Sequence, residues 1–360
     1  MDMKIVTTLV NAGAKGAETR HRRIVEILRH HDFQVTVQTL TTSEQPKFIP
    51  LFLRKLGAGF MTGCRSVSAQ DAYFAFDPYV FLGGALAARF RGARALYFCR
   101  NDQVYQQREI QRHKGLRRHV PIRLYVLQLV CLILCSEYIV QSDFSRHRLL
   151  NRFWWFFGIK KKEKVRILEN DLHLPLAQLC KPRDEAVLRV AFISNDAWDK
   201  KGFSFIERMV TDPAFLSAQI EFRLIGKGPA FDKIATSARL AVSSGKLTLI
   251  GYIDGPEPIP QLADVVLVPS VVDHFPNLLI ECAALGVPML LSDIEAHRHI
   301  FPEHPGYFPL STTPAEVVTR LIALHRRPRE RSSIARRQQM TIARLADAWD
   351  KPLCRLFGEN

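Results

Sequence analysis

The chain opens on an apolar run, Lys4-Ile5-Val6-Thr7-Thr8-Leu9-Val10, followed by the small-residue segment Asn11 to Glu18 with Gly13 and Gly16. Arg22 to His30 then places Ile24, Val25, Ile27 and Leu28 at helical spacing, and Phe33 to Leu40 alternates with β-branched residues. Strand, glycine turn, helix and strand in that order is how a doubly wound α/β domain begins. Ala72 to Ala75, Ala95 to Cys99 and Tyr138 to Ser142 predict further strands. The pattern then restarts. Leu188 to Ile193 predicts a strand, a polar loop runs to Gly202, and a helix begins at Phe203. Ile220 to Ile225 predicts a strand that ends in Gly226-Lys227-Gly228-Pro229, and Leu247 to Ile250, Val265 to Val268 and Met289 to Ser292 predict three more. Alternation begun twice predicts two α/β domains with parallel sheets, over residues 1–170 and 186–340, with a linker inside Pro175 to Glu185. Pro314 to Phe357 reads as largely helical, with Thr313 as N-cap and Pro314 at the first helical position.

Length supports the division, since 360 residues exceed one ordinary core. The apolar run Leu124 to Cys135 follows Arg123. It falls short of the roughly 20 residues that span a bilayer and reads as a core helix. The start, Met1-Asp2-Met3-Lys4, lacks the order of a signal peptide. Seven scattered cysteines form no Cys-x-x-Cys pair, so neither a disulfide framework nor a zinc ribbon is expected and a cytoplasmic setting fits.

Charge separates the two halves of the chain. The net charge of +15 is divided unevenly, +14 over residues 1–180 and +1 over 181–360. A basic half attracts phospholipid headgroups, nucleic acid or an anionic substrate. Three segments carry the excess beside apolar residues: Phe48 to Leu56 around Arg54-Lys55, the run from Arg108 to Arg118, and Phe153 to Lys164, which joins five aromatics to lysines. Each suits an anionic bilayer surface, and packing between domains is an equal reading of the aromatic run.

The candidate chemistry lies in the second half. Val265 to Val268 leads through Pro269-Ser270 to Asp273, His274, Phe275, Pro276 and Asn277, then to a helix holding Leu278 and Glu281, then to the break Gly286-Val287-Pro288. A helix start offers backbone N–H groups to phosphate, and a carboxylate accepts two hydroxyl protons at once, as ribose would present them. A helix residue in an ion pair and an Asx turn are the plain readings of Glu281 and Asp273, but they leave the neighbouring pattern unexplained. No Asp-x-Asp motif and no zinc spacing is present, which predicts metal-independent chemistry without a cofactor.

This segment resembles the E-x7-E element of retaining glycosyltransferases with two Rossmann-like domains, the family 4 group, with Asp273 in place of the first Glu. The likeness runs over nearly the whole chain and is most specific over residues 188–300. It implies an α/β fold of two Rossmann-like doubly wound domains facing a cleft (GT-B), an acceptor-side first domain, and a last helix over 341–360 that packs back on it. It implies a UDP- or GDP-sugar donor, a glycan or lipid-linked glycan acceptor, retained anomeric configuration, and a role in bacterial surface polysaccharide or lipopolysaccharide synthesis. Glu281 would bind the nucleotide ribose and Asp273 the donor sugar. His274, Phe275, Pro276, Asn277 and Leu278 would surround the diphosphate, with Pro276 lacking an N–H to give.

Lys201-Gly202 matches the family's Lys-Gly, and the stretch from Ser194 resembles the variant found in lipopolysaccharide core transferases. Lys201 would meet charge building on the departing diphosphate, with Lys200 in place of the family's upstream Arg. Gly226 would lie by the base. Gly13 and Gly16 would let backbone approach the diphosphate or acceptor. The first-domain segment where the family often carries a His reads Tyr97-Phe98-Cys99-Arg100-Asn101-Asp102, so Arg100 and Asp102 are the polar candidates there. Peripheral members dock their first domain on the inner face of the plasma membrane. Two other readings remain: a sugar-nucleotide epimerase of similar build, which needs carboxylates and a His in the first-domain cleft, and a basic membrane- or nucleic-acid-binding protein, whose salt-dependent binding would not need Glu281.

Overall fold

A computed structural model describes residues 3–11, 15–41, 50–116, 120–156, 163–179, 186–194, 198–346 and 348–358. The chain divides into two compact units. The first comprises Met1–Tyr105, His119–Asp171 and Asp347–Asn360, and the second Gln106–Arg118 and Leu172–Ala346. Element order up to residue 171 is β1 (Lys4–Asn11), α1 (Lys15–His30), β2 (Gln34–Thr41), α2 (Leu51–Ser66), β3 (Ala72–Ala75), α3 (Pro78–Phe90), β4 (Arg94–Phe98), α4 (Gln103–His113), α5 (Ile122–Leu134), β5 (Glu137–Val140), α6 (Asp143–Arg152) and β6 (Val165–Ile167). The second unit continues with β7 (Leu188–Ile193), α7 (Trp198–Lys201), α8 (Phe203–Val210), α9 (Pro213–Ser217), β8 (Ile220–Ile225), α10 (Pro229–Ser237), α11 (Arg239–Ser243) and β9 (Leu247–Gly251). It closes with α12 (Ile259–Leu262), β10 (Val265–Val268), α13 (Asn277–Ala284), β11 (Met289–Ser292), α14 (Glu295–Ile300), β12 (Tyr307–Phe308), α15 (Pro314–Arg326) and α16 (Pro328–Ile342), before α17 (Asp350–Gly358) returns to the first unit.

Each unit holds a six-stranded sheet, ordered β2-β1-β3-β4-β5-β6 and β12-β11-β10-β7-β8-β9, and every pairing is parallel. Both are doubly wound α/β sheets, as the strand–helix alternation predicts. The strands read as unbroken apolar runs because helices cover both faces. Along β3, Ala72 and Phe74 enter one core cluster while Tyr73 and Ala75 enter another. Along β10, Val265 and Leu267 separate from Val266 and Val268 in the same way. In each sheet the strand order reverses once, between β1 and β3 and between β7 and β10. A crevice opens at the carboxyl ends of strands at such a point, and ligands bind there.

Three local differences from the sequence pattern have simple causes. Helix α1 begins at Lys15, so Gly16 sits in its first turn rather than in a loop, and Gly13 lies outside the described residues. Helix α5 is buried on one side only: Gln128, Cys131 and Leu132 face inward while Ile122, Val126 and Ile133 are exposed, so it is no fully buried core helix. The helical stretch from Pro314 is interrupted where Pro328 starts a new helix and where Ala343–Leu345 tightens into a 3-10 turn. Within the first unit, α17 places Leu353 and Phe357 in a cluster with Ile5, Ile24 and Leu28, and the Trp349 indole N–H donates to the Glu169 carbonyl. Residues 180–185 of the linker lie outside the described residues.

Candidate functional site

In the second unit the loops after β7 and β10 meet at the switch point. Gly202 makes the meeting possible. It caps α8 with φ of 79°, and a Cβ there would stand 2.1 Å from the Pro269 carbonyl oxygen. Only glycine tolerates both the left-handed backbone and that approach. The Val271 N–H donates to the Lys200 carbonyl (3.0 Å) and ties the two loops together.

This contact brings both lysines onto Asp273. Lys201 Nζ lies 2.5 Å from Oδ2 and Lys200 Nζ 3.7 Å from Oδ1. The His274 N–H donates to Oδ1 as well (2.9 Å). Asp273 is buried. Burial pushes its pKa up, but the Lys201 and Lys200 ammonium groups outweigh that and hold it well below the usual carboxylate range. The result is a fixed carboxylate with two cations, all at the carboxyl ends of the strands.

Helix α13 starts behind it with Pro276 as a cap that offers no side-chain acceptor. The positive end of its dipole thus follows Asp273 by four residues in the chain. Glu281 lies one turn along, about a fifth of its side chain exposed, with His173 Nε2 at 4.0 Å from Oε1. The helix ends as the Gly-x-Pro break predicts. Gly286 adopts φ of 69°, its N–H bonds to the Ala283 carbonyl (3.1 Å), and the Val287 N–H reaches back to the Cys282 carbonyl (2.9 Å). At the end of β8, Gly226 has φ of 142°, and a Cβ would come within 2.2 Å of the Ser194 carbonyl oxygen. His274 and Phe275 are buried. The structure thus gathers Lys200, Lys201, Gly202, Asp273 and His274, and Glu281 lies on α13, the helix that follows their loop in the chain.

Sequence reasoning passed over His297 and Ser292. The Ser292 hydroxyl donates to the Ser270 carbonyl (2.5 Å) and pins the loop after β11 to the loop after β10. His297 is fully buried with Nδ1 at 2.8 Å from the Ser292 carbonyl oxygen, so Nδ1 carries the proton. Burial lowers its pKa to about 4 and keeps the ring neutral. The signal was present: Ile294, His297 and Ile300 fall on one helical face.

The first unit has a cavity of about 300 Å3 at its own switch point, beside Val10 at the end of β1, Asp77 after β3, and Arg100 after β4. Lys55 is turned toward it and pairs with Asp77 at 2.5 Å. Asp102 is used structurally: it accepts from the Tyr105 N–H at the start of α4 (3.1 Å) and pairs with Arg152 at 2.7 Å. Arg152 also donates to Gln128 (2.6 Å), a residue of the cavity wall. Lys164 donates to the Leu132 carbonyl (2.7 Å) near the end of α5. Among the described residues no cluster of His, Cys, Asp or Glu is placed to hold a metal ion, and no helix is long and apolar enough to cross a membrane.

Residues 188–327 match the family model for glycosyl transferases group 1. No curated protein matches the sequence. Solved structures match over the whole chain. Anabaena Alr3699/HepE, in complex with UDP and glucose, is 15% identical with a TM-score of 0.70, covering 98% of this chain and 99% of its own. The lipopolysaccharide outer core galactosyltransferase WaaB is 14% identical with a TM-score of 0.66, covering 98% of each chain. The sucrose-phosphate synthase of Thermosynechococcus elongatus is 14% identical with a TM-score of 0.71, covering 98% of this chain and 97% of its own. The fold is that of GT-B glycosyltransferases.

Proposed function

We propose that the protein transfers a sugar from a nucleotide-sugar donor to a hydroxyl of a glycan or lipid-linked glycan. The observation that carries this reading is the Lys200–Lys201–Asp273 cluster at the switch point of the unit that matches the group 1 family model, with α13 following it in the chain. Two ammonium groups and a helix start suit a diphosphate. As the acceptor oxygen bonds to the anomeric carbon, the donor C–O bond breaks, its electron pair leaves on the diphosphate, and the acceptor hydroxyl's proton passes to the departing phosphate oxygen. Lys201 offsets that charge. Asp273 accepts donor-sugar hydroxyls and Glu281 the ribose hydroxyls, and Gly226 and the buried His274 shape the surrounding wall. Retention of configuration follows from the likeness of the Asp273–Glu281 segment to E-x7-E transferases. The UDP complexes of HepE and the galactosyltransferase activity in the name of WaaB favour a uridine nucleotide and an envelope glycan acceptor.

The ribose contact has a direct test. Wild-type protein should bind UDP about tenfold more tightly than 2′-deoxy-UDP, the worth of one charge-assisted hydrogen bond. Glu281→Ala should bind both alike. Calorimetry that finds an unchanged preference in the variant removes Glu281 from the site.

A membrane-facing first unit extends the reading. Trp154 and Trp155 are 74% and 59% exposed, and Leu51, Phe52 and Leu53 are exposed beside Arg54. Phe48, Ile49, Arg117, Arg118 and residues 157–162 of the basic and aromatic segments lie outside the described residues. The protein should co-sediment with phosphatidylglycerol vesicles at low salt, and Trp154→Ala with Trp155→Ala should weaken that binding severalfold. Equal partitioning onto phosphatidylcholine vesicles, or none onto either, would sink this part.

A further inference from the structure

Past the ends of the strands, the loops of the second unit are tied to one another in sheet order. The Val271 N–H donates to the Lys200 carbonyl (3.0 Å) and joins the loop after β10 to α7. The Ser292 hydroxyl donates to the Ser270 carbonyl (2.5 Å) and joins the end of β11 to that same loop. The Asp293 N–H donates to the Phe308 carbonyl (2.7 Å) and joins β11 to β12. The strands beneath stand side by side as β12-β11-β10-β7. Asp273 stands in the middle of that row, three residues past Ser270.

His297 holds this row from α14. It is fully buried and donates from Nδ1 to the Ser292 carbonyl (2.8 Å). That carbonyl also accepts from the Ile294 N–H (3.0 Å), so the imidazole is not needed to satisfy it. The other ring nitrogen, Nε2, is buried and has no hydrogen-bond partner among the described residues. A neutral ring with its proton on Nδ1 carries a lone pair on Nε2, and a buried acceptor without a donor lowers stability. An apolar side chain of similar size would fill the same space without that penalty. Groups that break a rule of stable packing in this way are retained at functional sites. The charges of Asp273 and Lys201 act on the ring from nearby, in opposite directions.

We propose that His297 is a positioning residue for Asp273, acting through its Nδ1 bond to Ser292 and the Ser292 hydroxyl on Ser270. Ser292 is gripped at its carbonyl by the imidazole, and its hydroxyl in turn holds the loop that carries Asp273. A reacting geometry displaced by about 1 Å loses about a hundredfold in rate. What Asp273 is positioned for rests on the transferase reading; that His297 positions it does not.

Variants of the full chain separate placement from stability. His297→Leu removes the bond and the unpaired acceptor together, so its melting temperature should stay within about 3 °C of wild type. Its turnover of a nucleotide sugar should fall about tenfold to a hundredfold. His297→Asn sets an amide N–H near the position of Nδ1 but leaves space where the rest of the ring stood. It should melt below His297→Leu and yet turn over donor faster. His297→Gln sets its amide near Nε2 instead and should be as slow as His297→Leu. Turnover that follows melting temperature across the three variants overturns the proposal. Amide hydrogen exchange reads the placement without turnover. The His274 N–H, bonded to Asp273 Oδ1 (2.9 Å), should exchange about tenfold faster in His297→Leu and near the wild-type rate in His297→Asn, with Leu290 in β11 unchanged. Equal His274 exchange in wild type and His297→Leu also overturns the proposal. If His297→Asn does not fold, the exchange in His297→Leu still decides, and Ser292→Ala should match it. The expected exchange pattern in a protein that consumes no donor defeats the transferase reading alone. Donor consumption with unchanged exchange defeats this inference alone.

Discussion

Lys201→Met is expected to lower donor turnover about a hundredfold to a thousandfold, the usual cost of removing one preorganised group that meets transition-state charge. It should also destabilise the protein, because Asp273 is buried and Lys201 is its nearest cation, at 2.5 Å against 3.7 Å for Lys200. Removing one member of a buried pair costs several kcal/mol when nothing replaces it. With Lys200 still present, about 2–3 kcal/mol is expected. Lys200→Met should cost less on both counts. The acid limb of the stability curve reports the same pair. The folded pKa of Asp273 lies below the ordinary value of 3.8, so the pairing contributes fully above about pH 4 and is lost as pH falls below it. That loss should shrink in Lys201→Met. Chemical denaturation at pH 7 and pH 3 measures it, and an unchanged acid limb would detach Lys201 from Asp273.

The second large effect is Gly202→Ala. A Cβ at 2.1 Å from the Pro269 carbonyl oxygen cannot be relieved by rotating a side chain, since the obstacle is backbone, and φ of 79° adds strain for any L side chain. About 3 kcal/mol or more is expected, a fall in melting temperature of roughly 6–12 °C for a unit of this size. Turnover should fall with it, because the Val271–Lys200 bond that aligns the two loops passes through the same contact. Gly57→Ala is the control. It lies inside α2 with nothing within 4 Å of its Cβ position, so alanine there should stabilise by about 0.5–1 kcal/mol. Equal melting temperatures for Gly202→Ala and wild type would contradict the close approach.

These two sites were also the most legible in the sequence, for a physical reason. Gly202 and the Pro269 to Pro288 stretch are local patterns: a Lys-Gly before a helix, a Pro-Ser turn after a strand, a Gly-x-Pro that ends a helix. The doubly wound sheets were legible because strands buried on both faces read as unbroken apolar runs. What was hidden depends on pairing between distant segments. Lys201 and Asp273 are 72 residues apart, so their bond is invisible to any window of sequence. Asp102 looked like a free polar group at a strand end until Arg152, 50 residues on, engaged it. His21 sits among Arg20, Arg22 and Arg23 and reads as surface, although it shares a helical face with Ile24, Val25 and Leu28.

A site built on Lys201, Asp273 and Glu281 should turn over a nucleotide sugar. Proton NMR of the wild-type protein with a panel of UDP- and GDP-sugars, recorded with an acceptor over time, tests it most directly. One donor should be consumed, its nucleoside diphosphate should accumulate, the new linkage should keep the donor's anomeric configuration, and Glu281→Ala should slow the reaction. A panel in which no donor is consumed, or a Glu281→Ala variant that turns over donor at the wild-type rate, would contradict it.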